Sequence, residues 1–171
     1  MGQAEDFDET LERLTPGLRR YARALLSGAV NDVADELVQT ALQTTADESK
    51  LDSPRRDSPN AVLDLRVDLY ASLTHAAQRR LRSAAPHRPS LRQPAIMHRL
   101  ADLPFEERET LLLVVLEGFT YDEVARITRT DRPVALMRLM RARSALTALD
   151  RHPSPGADAG RRPGPHLRVV K

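Results

Sequence analysis

Apolar positions recur along this chain at three- and four-residue spacing, and no stretch alternates with the two-residue period of a strand. Leu11, Leu14, Leu18, Tyr21, Ala22 and Leu25 form the first stripe and predict a helix over Glu9–Leu26, with Met1–Asp8 frayed ahead of it. Pro16 interrupts the stripe, and Thr15 is placed to cap a second start there. Ser27 and Gly28 end the element. Val33, Leu37, Val38, Ala41 and Leu42 predict a helix from Asn31 or Asp32 to about Thr45. Residues 47–60 are polar, hold Pro54 and Pro59, and read as a loop. Val62, Leu65, Leu69, Leu73 and Ala76 stripe a helix over Ala61–Ser83 whose end is basic.

Beyond Pro86, Pro89 and Pro94 the helical pattern resumes. Ala95–Leu103 reads as a short helix, and Pro104 opens a longer one with Glu106, Glu107 and Glu109 in its early turns, where carboxylates suit the helix dipole. Leu111–Leu116 ends at Glu117 and Gly118, a stop with Gly in the left-handed position. Thr120 and Glu123 fit a capping box for the next helix, striped by Val124, Ala125 and Ile127. Asp131 is a suitable cap, and Pro133 a tolerated first-turn residue, for a last helix with Ala135, Leu139, Ala142 and Leu146 on one face. Two short helices joined by a tight turn, the second carrying Arg138, Arg141 and Arg143, form a helix-turn-helix suited to DNA. The fold class is all-α. The pattern predicts a helical domain over 9–83, a basic Pro-rich linker over 84–94, a helix-turn-helix domain over 95–150 and a disordered basic tail over 151–171.

Charge sharpens this picture. The net charge is only +2, but Met1–Asp52 is acidic while Ala76–Leu100 carries six Arg and no acid, a block suited to a phosphate backbone or simply to a solvated linker. No apolar run reaches membrane-spanning length, and the acidic start is unlike a signal peptide. The absence of cysteine removes disulfides and thiolate metal sites, which fits the cytoplasm. His75, His87, His98, His152 and His166 lack the spacing of a helical metal site, and neither a Gly-rich phosphate loop nor a nucleophile motif is present. We therefore expect no enzyme, no cofactor, no metal and no small-molecule substrate.

Three blocks resemble a known family. They are Leu18–Leu25, the Ala34–Thr40 run Ala-Asp-Glu-Leu-Val-Gln-Thr, and the segment holding Leu103, Pro104, Arg108, Glu117–Ala125 and Arg138–Arg143. Their order and spacing resemble the extracytoplasmic-function sigma factors, most closely the alphaproteobacterial general-stress branch, over about Leu14–Leu149. The resemblance implies a sigma region 2-like domain and a sigma region 4-like domain. It also implies binding to core RNA polymerase, recognition of promoter DNA in transcription initiation, a stress response and an anti-sigma partner.

By the same resemblance, Asp35, Glu36, Leu37, Val38 and Gln39 would dock on polymerase. Tyr70, His75, Gln78, Arg79, Arg80 and Arg82 would meet the −10 element. Thr130, Arg132, Leu136, Met137, Arg138 and Arg141 would meet the −35 element. Two departures stand out. No Trp exists for the −10 segment, and Arg129, Val134, Ala135, Leu136 and Met137 stand where relatives carry Gly and a Thr-Val-Lys-Ser run. Leu136, Met137 and Met140 should then form an outward apolar stripe, which fits a protein interface, packing within the chain, or thymine methyls. A second reading follows: a sigma-like interaction protein that binds an anti-sigma factor without reading DNA. An ordinary helix-turn-helix repressor would have no need of the Ala34–Thr40 helix.

Overall fold

A computed structural model describes residues 2–27, 31–51, 61–83 and 93–151. They form seven helices: α1 (Gly2–Leu25), α2 (Asn31–Leu51), α3 (Ala61–Ser83), α4 (Ala95–Asp102), α5 (Phe105–Val115), α6 (Tyr121–Thr128) and α7 (Arg132–Arg151). No strand occurs among the described residues, and none of their helices is long and apolar enough to cross a membrane. Most of the expected linker and tail lie outside the described residues.

The first three helices pack as one bundle. Leu18, Tyr21, Ala22 and Leu25 of α1 meet Ala34, Leu37, Val38 and Ala41 of α2, and Val67, Leu69, Leu73 and Ala77 of α3 complete the core. The Tyr21 hydroxyl is buried with the apolar groups but is satisfied by Thr74 Oγ1 at 2.9 Å, so burial carries no orphan polar atom there.

Three local expectations are corrected. α1 begins at Gly2 and runs through Pro16 without a break. Thr15 does not cap a second start; its hydroxyl donates to the Leu11 carbonyl at 2.7 Å, bonding back into the same helix. The apolar stripe, half-buried at Leu11 and Leu14 and buried from Leu18 onward, outweighs the one backbone bond that proline removes. α2 continues to Leu51, so residues 47–51 are helix rather than loop. Val62 is 52% exposed and leaves the expected stripe of α3.

The last four helices form a second bundle, and here the local signals hold. The Pro104 carbonyl accepts from Glu107 and Arg108 N–H at 3.1 and 2.9 Å and starts α5. Gly118 takes a φ of 72°, which brings the Phe119 N–H back to the Leu113 carbonyl at 3.0 Å. The capping box is complete: Thr120 Oγ1 accepts from Glu123 N–H, and Glu123 Oε2 accepts from Thr120 N–H at 2.7 Å. Val124 and Ile127 of α6 and Ala135, Leu139 and Ala142 of α7 are buried together. One residue departs from expectation. Glu109 does not face solvent near the helix start; it is 4% exposed.

Between α6 and α7, Arg129 occupies the left-handed region at φ 52°, ψ 47°. The Arg129 N–H returns to Arg126 O at 3.3 Å and the Thr130 N–H to Ala125 O at 3.0 Å, closing the helix end. A side chain with a Cβ is strained there. Arg129→Gly should therefore raise stability by about 1 kcal/mol, less the greater chain freedom of glycine when unfolded. Thermal or urea denaturation checks this, and a clear loss of stability would refute it.

Candidate nucleic-acid and partner surfaces

The helix-turn-helix presents α7 outward. Leu136, Met137 and Met140 are 41%, 45% and 63% exposed, so the expected apolar stripe is on the surface. Thr130 shares a 2.9 Å hydrogen bond with Thr128, and Arg132 pairs with Asp122 at 3.6 Å. Arg138 is drawn inward, 3.4 Å from Glu109. Arg141 is exposed.

Glu109 lies beneath this helix. Burial raises its carboxyl pKa from the ordinary 4.5 to about 8, the Arg138 guanidinium pulls it back down, and Glu106 raises it further. Contact with Arg138 favours the carboxylate, but desolvation is the larger effect, so Glu109 holds its proton to higher pH than an ordinary carboxyl.

On α3, Arg79, Arg80 and Arg82 are exposed and Gln78 is half-buried, leaving a basic end available to an anion. His75 is partly covered. Its imidazole is pushed below its ordinary pKa by burial first, then by Arg129 and Arg79. Tyr70 is not an exposed platform: it is 1% exposed and lies between the two bundles. On α2, Glu36 and Gln39 are exposed. Asp35 is held by Arg19 at 3.4 Å and Arg23 at 3.7 Å. Leu37 and Val38 are core residues rather than surface contacts.

The two bundles meet along two seams, and these were not foreseen in the sequence. In the first, α1 packs against α5, and ties lie near both ends of α5. Arg108, itself buried, donates to Ser27 Oγ at 2.6 Å and Leu100 O at 3.0 Å. At the other end Arg20 pairs with Glu117 at 2.9 Å. In the second, α6 lies across α3, where Arg126 meets Asp64 at 2.9 Å.

Glu117 joins both seams. Its carboxylate accepts from the Tyr70 hydroxyl at 2.6 Å and from Arg20, while its backbone carbonyl accepts from Arg66. The Tyr70 ring meets Phe119 edge-on at 4.9 Å and Tyr21 at 5.3 Å, and the Arg66 guanidinium covers the Phe119 ring at 3.9 Å. Burial and the Glu117 carboxylate drive the Tyr70 hydroxyl far above its ordinary pKa, so it stays a donor. Gly17 permits this approach, because a Cβ there would sit 2.9 Å from the Tyr70 oxygen.

Beside the α1–α5 seam runs an apolar groove of about 790 Å³. Pro16, Ala24, Ile96, Leu112, Val115 and Leu146 line it, and Arg19, Arg20 and Arg23 stand along one edge. Ile96 and Val115 are 50% and 62% exposed within it.

The family described as sigma-70, region 4 matches residues 94–146. Two solved structures resemble the chain more widely. The co-crystal structure of the sigma factor RpoE with the anti-sigma factor NepR from Bartonella quintana matches with a TM-score of 0.64. The identity is 23%, over 88% of this chain and 99% of that one. The co-crystal structure of the anti-anti-sigma factor PhyR with NepR from the same organism matches with a TM-score of 0.58. There the identity is 20%, over 83% of this chain and 49% of that one. No curated protein sequence matches. Residues 94–146 therefore match the sigma-70, region 4 family, and the chain as a whole has the fold of the sigma factor RpoE of that complex.

Proposed function

We propose that this chain binds core RNA polymerase and directs promoter recognition in a stress response, working in the cytoplasm. The observation that carries this reading is the region 4 match on 94–146, whose helix-turn-helix keeps its caps and buried face intact. In this reading Glu36 and Gln39 of α2, with Asp35 at their edge, meet a basic polymerase surface. Leu37 and Val38 support them from the core. Gln78, Arg79, Arg80 and Arg82 meet the −10 strand, and His75 joins them when uncovered. Thr130, Arg132, Arg138 and Arg141 contact the −35 duplex, with Leu136 and Met137 against thymine methyls. No enzyme chemistry is assigned.

An anti-sigma factor is the expected regulator. The groove along α1, α4 and α5 suits an amphipathic helix, with its apolar side on Ile96 and Val115 and its acidic side toward Arg19 and Arg23. The likeness to RpoE in complex with NepR supports such a partner.

A pull-down with purified core polymerase tests the reading. The wild-type chain should bind, and Glu36→Lys should weaken binding about tenfold by placing like charge against the partner. The exposed Leu136, Met137 and Met140 stripe favours a second reading, a sigma-like protein that binds an anti-sigma factor alone. Tight anti-sigma binding with no polymerase binding would establish that reading and sink the first.

A further inference from the structure

Among the cations of α7, Arg138 is set apart. Arg132, Arg141 and Arg143 are exposed, whereas the Arg138 side chain is only 22% exposed. It turns inward because a buried carboxyl group lies beneath the helix. Glu109 Oε1 is 3.4 Å from Arg138 Nη1, and the Glu109 side chain is 6% exposed. Among the described residues Arg138 is the one salt-bridge partner of Glu109. The tie joins one nitrogen to one oxygen, not the two-pronged pairing that arginine makes with a carboxylate in its strongest form. Arg138 also stands one helical turn from Arg141, on the same flank of α7. An outward swing therefore brings its guanidinium beside a cation that already faces solvent.

The two charge states of Glu109 hold Arg138 differently. When Arg138 leaves an ionised Glu109, an unpaired charge stays buried under α7, which is costly. When it leaves the protonated acid, only a neutral group remains. Burial already favours the protonated form, and Arg138 is what opposes it. The other groups facing Glu109 are Glu106 on α5 and Tyr21 on α1, and neither offers a competing cation. Departure of Arg138 and arrival of a proton on Glu109 are therefore coupled, and each favours the other to the same extent.

We propose that Glu109 is a positioning residue that withholds Arg138 from the DNA backbone, so that contact through Arg138 takes up a proton on the Glu109 carboxyl. This rests on and deepens the functional reading above, in which Arg138 and Arg141 meet the −35 duplex. With Glu109 ionised, the helix-turn-helix offers the duplex one cation fewer. With Glu109 protonated, Arg138 swings out beside Arg141 and adds a phosphate contact.

The test uses the full chain and a fluorescent random-sequence duplex of about 20 base pairs, titrated at several salt concentrations. Between about pH 6 and about pH 9 the affinity of the unaltered chain should fall about tenfold more than that of Glu109→Gln, which cannot ionise. His75 titrates in both chains and cancels in that comparison. Near about pH 8.5 the unaltered chain should take up about half a proton more per duplex than the variant, read by calorimetry in buffers of different ionisation heat. Arg138→Ala should lower the slope of log affinity against log salt by about 1 at about pH 6 and leave it unchanged at about pH 9, whereas Arg141→Ala should lower it at both. An affinity change of equal size at every pH in Glu109→Gln would reveal a packing role alone and overturn the proposal. So would a slope that Arg138→Ala lowers equally at both pH values. If a variant loses its native helical content, the unaltered chain decides alone, and binding without proton uptake near about pH 8.5 would overturn the proposal. Failure of the functional reading looks different: the unaltered chain would bind no duplex at any pH, and the inference would fall with it.

Discussion

Leu139→Ala should destabilise the region 4 domain by about 3 kcal/mol, within the usual range for emptying a buried leucine site. Leu139 is 1% exposed and sits at the centre of the α7 face that packs on α5 and α6, with Ala135 and Ala142 on either side. Two alanine neighbours offer little bulk with which to refill the hole, so the cavity should persist. For a chain of this size the loss corresponds to a fall in melting temperature of roughly 10 °C. Met140→Ala, one residue along the helix and 63% exposed, should change stability by less than about 0.5 kcal/mol. The pair separates the two faces of α7. Leu139 holds the helix in place, while Met140 is available to a partner. Equal melting temperatures for the two variants, measured by calorimetry, would contradict the packing described.

Stability should also fall as pH rises from about 5 to 8, and Glu109 should be the main reason. Its folded pKa, about 8, lies above the ordinary 4.5 because burial disfavours the charged carboxylate. The folded protein therefore holds a proton that the unfolded chain has already released. The stabilisation is complete below about pH 4.5 and is lost as pH rises through the folded value. Across that window the change is on the order of 3 kcal/mol, moderated by Arg138 at 3.4 Å, which favours the ionised form. The charged and titratable groups around Glu109 are Arg138 on α7, Glu106 on its own helix and Tyr21 on α1. His75 acts in the opposite sense. Its folded pKa lies below 6.5, so its contribution is lost as pH falls through that range. Glu109→Gln keeps shape and volume but cannot ionise. The difference between its melting curve and that of the unaltered protein cancels the His75 effect. The variant should be the more stable at pH 8 and nearly equal at pH 5. Parallel pH profiles would show that Glu109 is not the group responsible.

The contrast between α6 and Glu117 shows how much was legible in the sequence. Thr120 and Glu123 cap α6 through partners three residues away, so their roles follow from spacing alone. The left-handed Gly118 and the buried face of α7 are equally local, and the helix-turn-helix was foreseen with its outward apolar stripe. Glu117 was readable only as a stop, because its partners Tyr70 and Arg20 lie 47 and 97 residues away. Nothing in a helical period marks such a contact. Tyr70 belongs to the same class: its ring fits the core stripe of α3, and only the tertiary packing decides whether it faces DNA or Glu117. Pro16 failed in the other direction. The local rule predicted a break, and the apolar contacts of α1 on both sides overrode it. Glu109 looked like a helix-dipole carboxylate by position, yet α5 is enclosed on several sides and draws it inside.

The scaffold places a basic end of α3, an acidic face of α2 and the α7 surface on one chain, and it closes the junction between the bundles through Glu117. Run-off transcription from genomic fragments, with purified core polymerase and this chain, tests the central claim most directly. The account predicts discrete transcripts that appear only when the chain is added and that weaken with Glu36→Lys. A chain that leaves core polymerase without specific transcripts, while still binding an anti-sigma factor tightly, would contradict it.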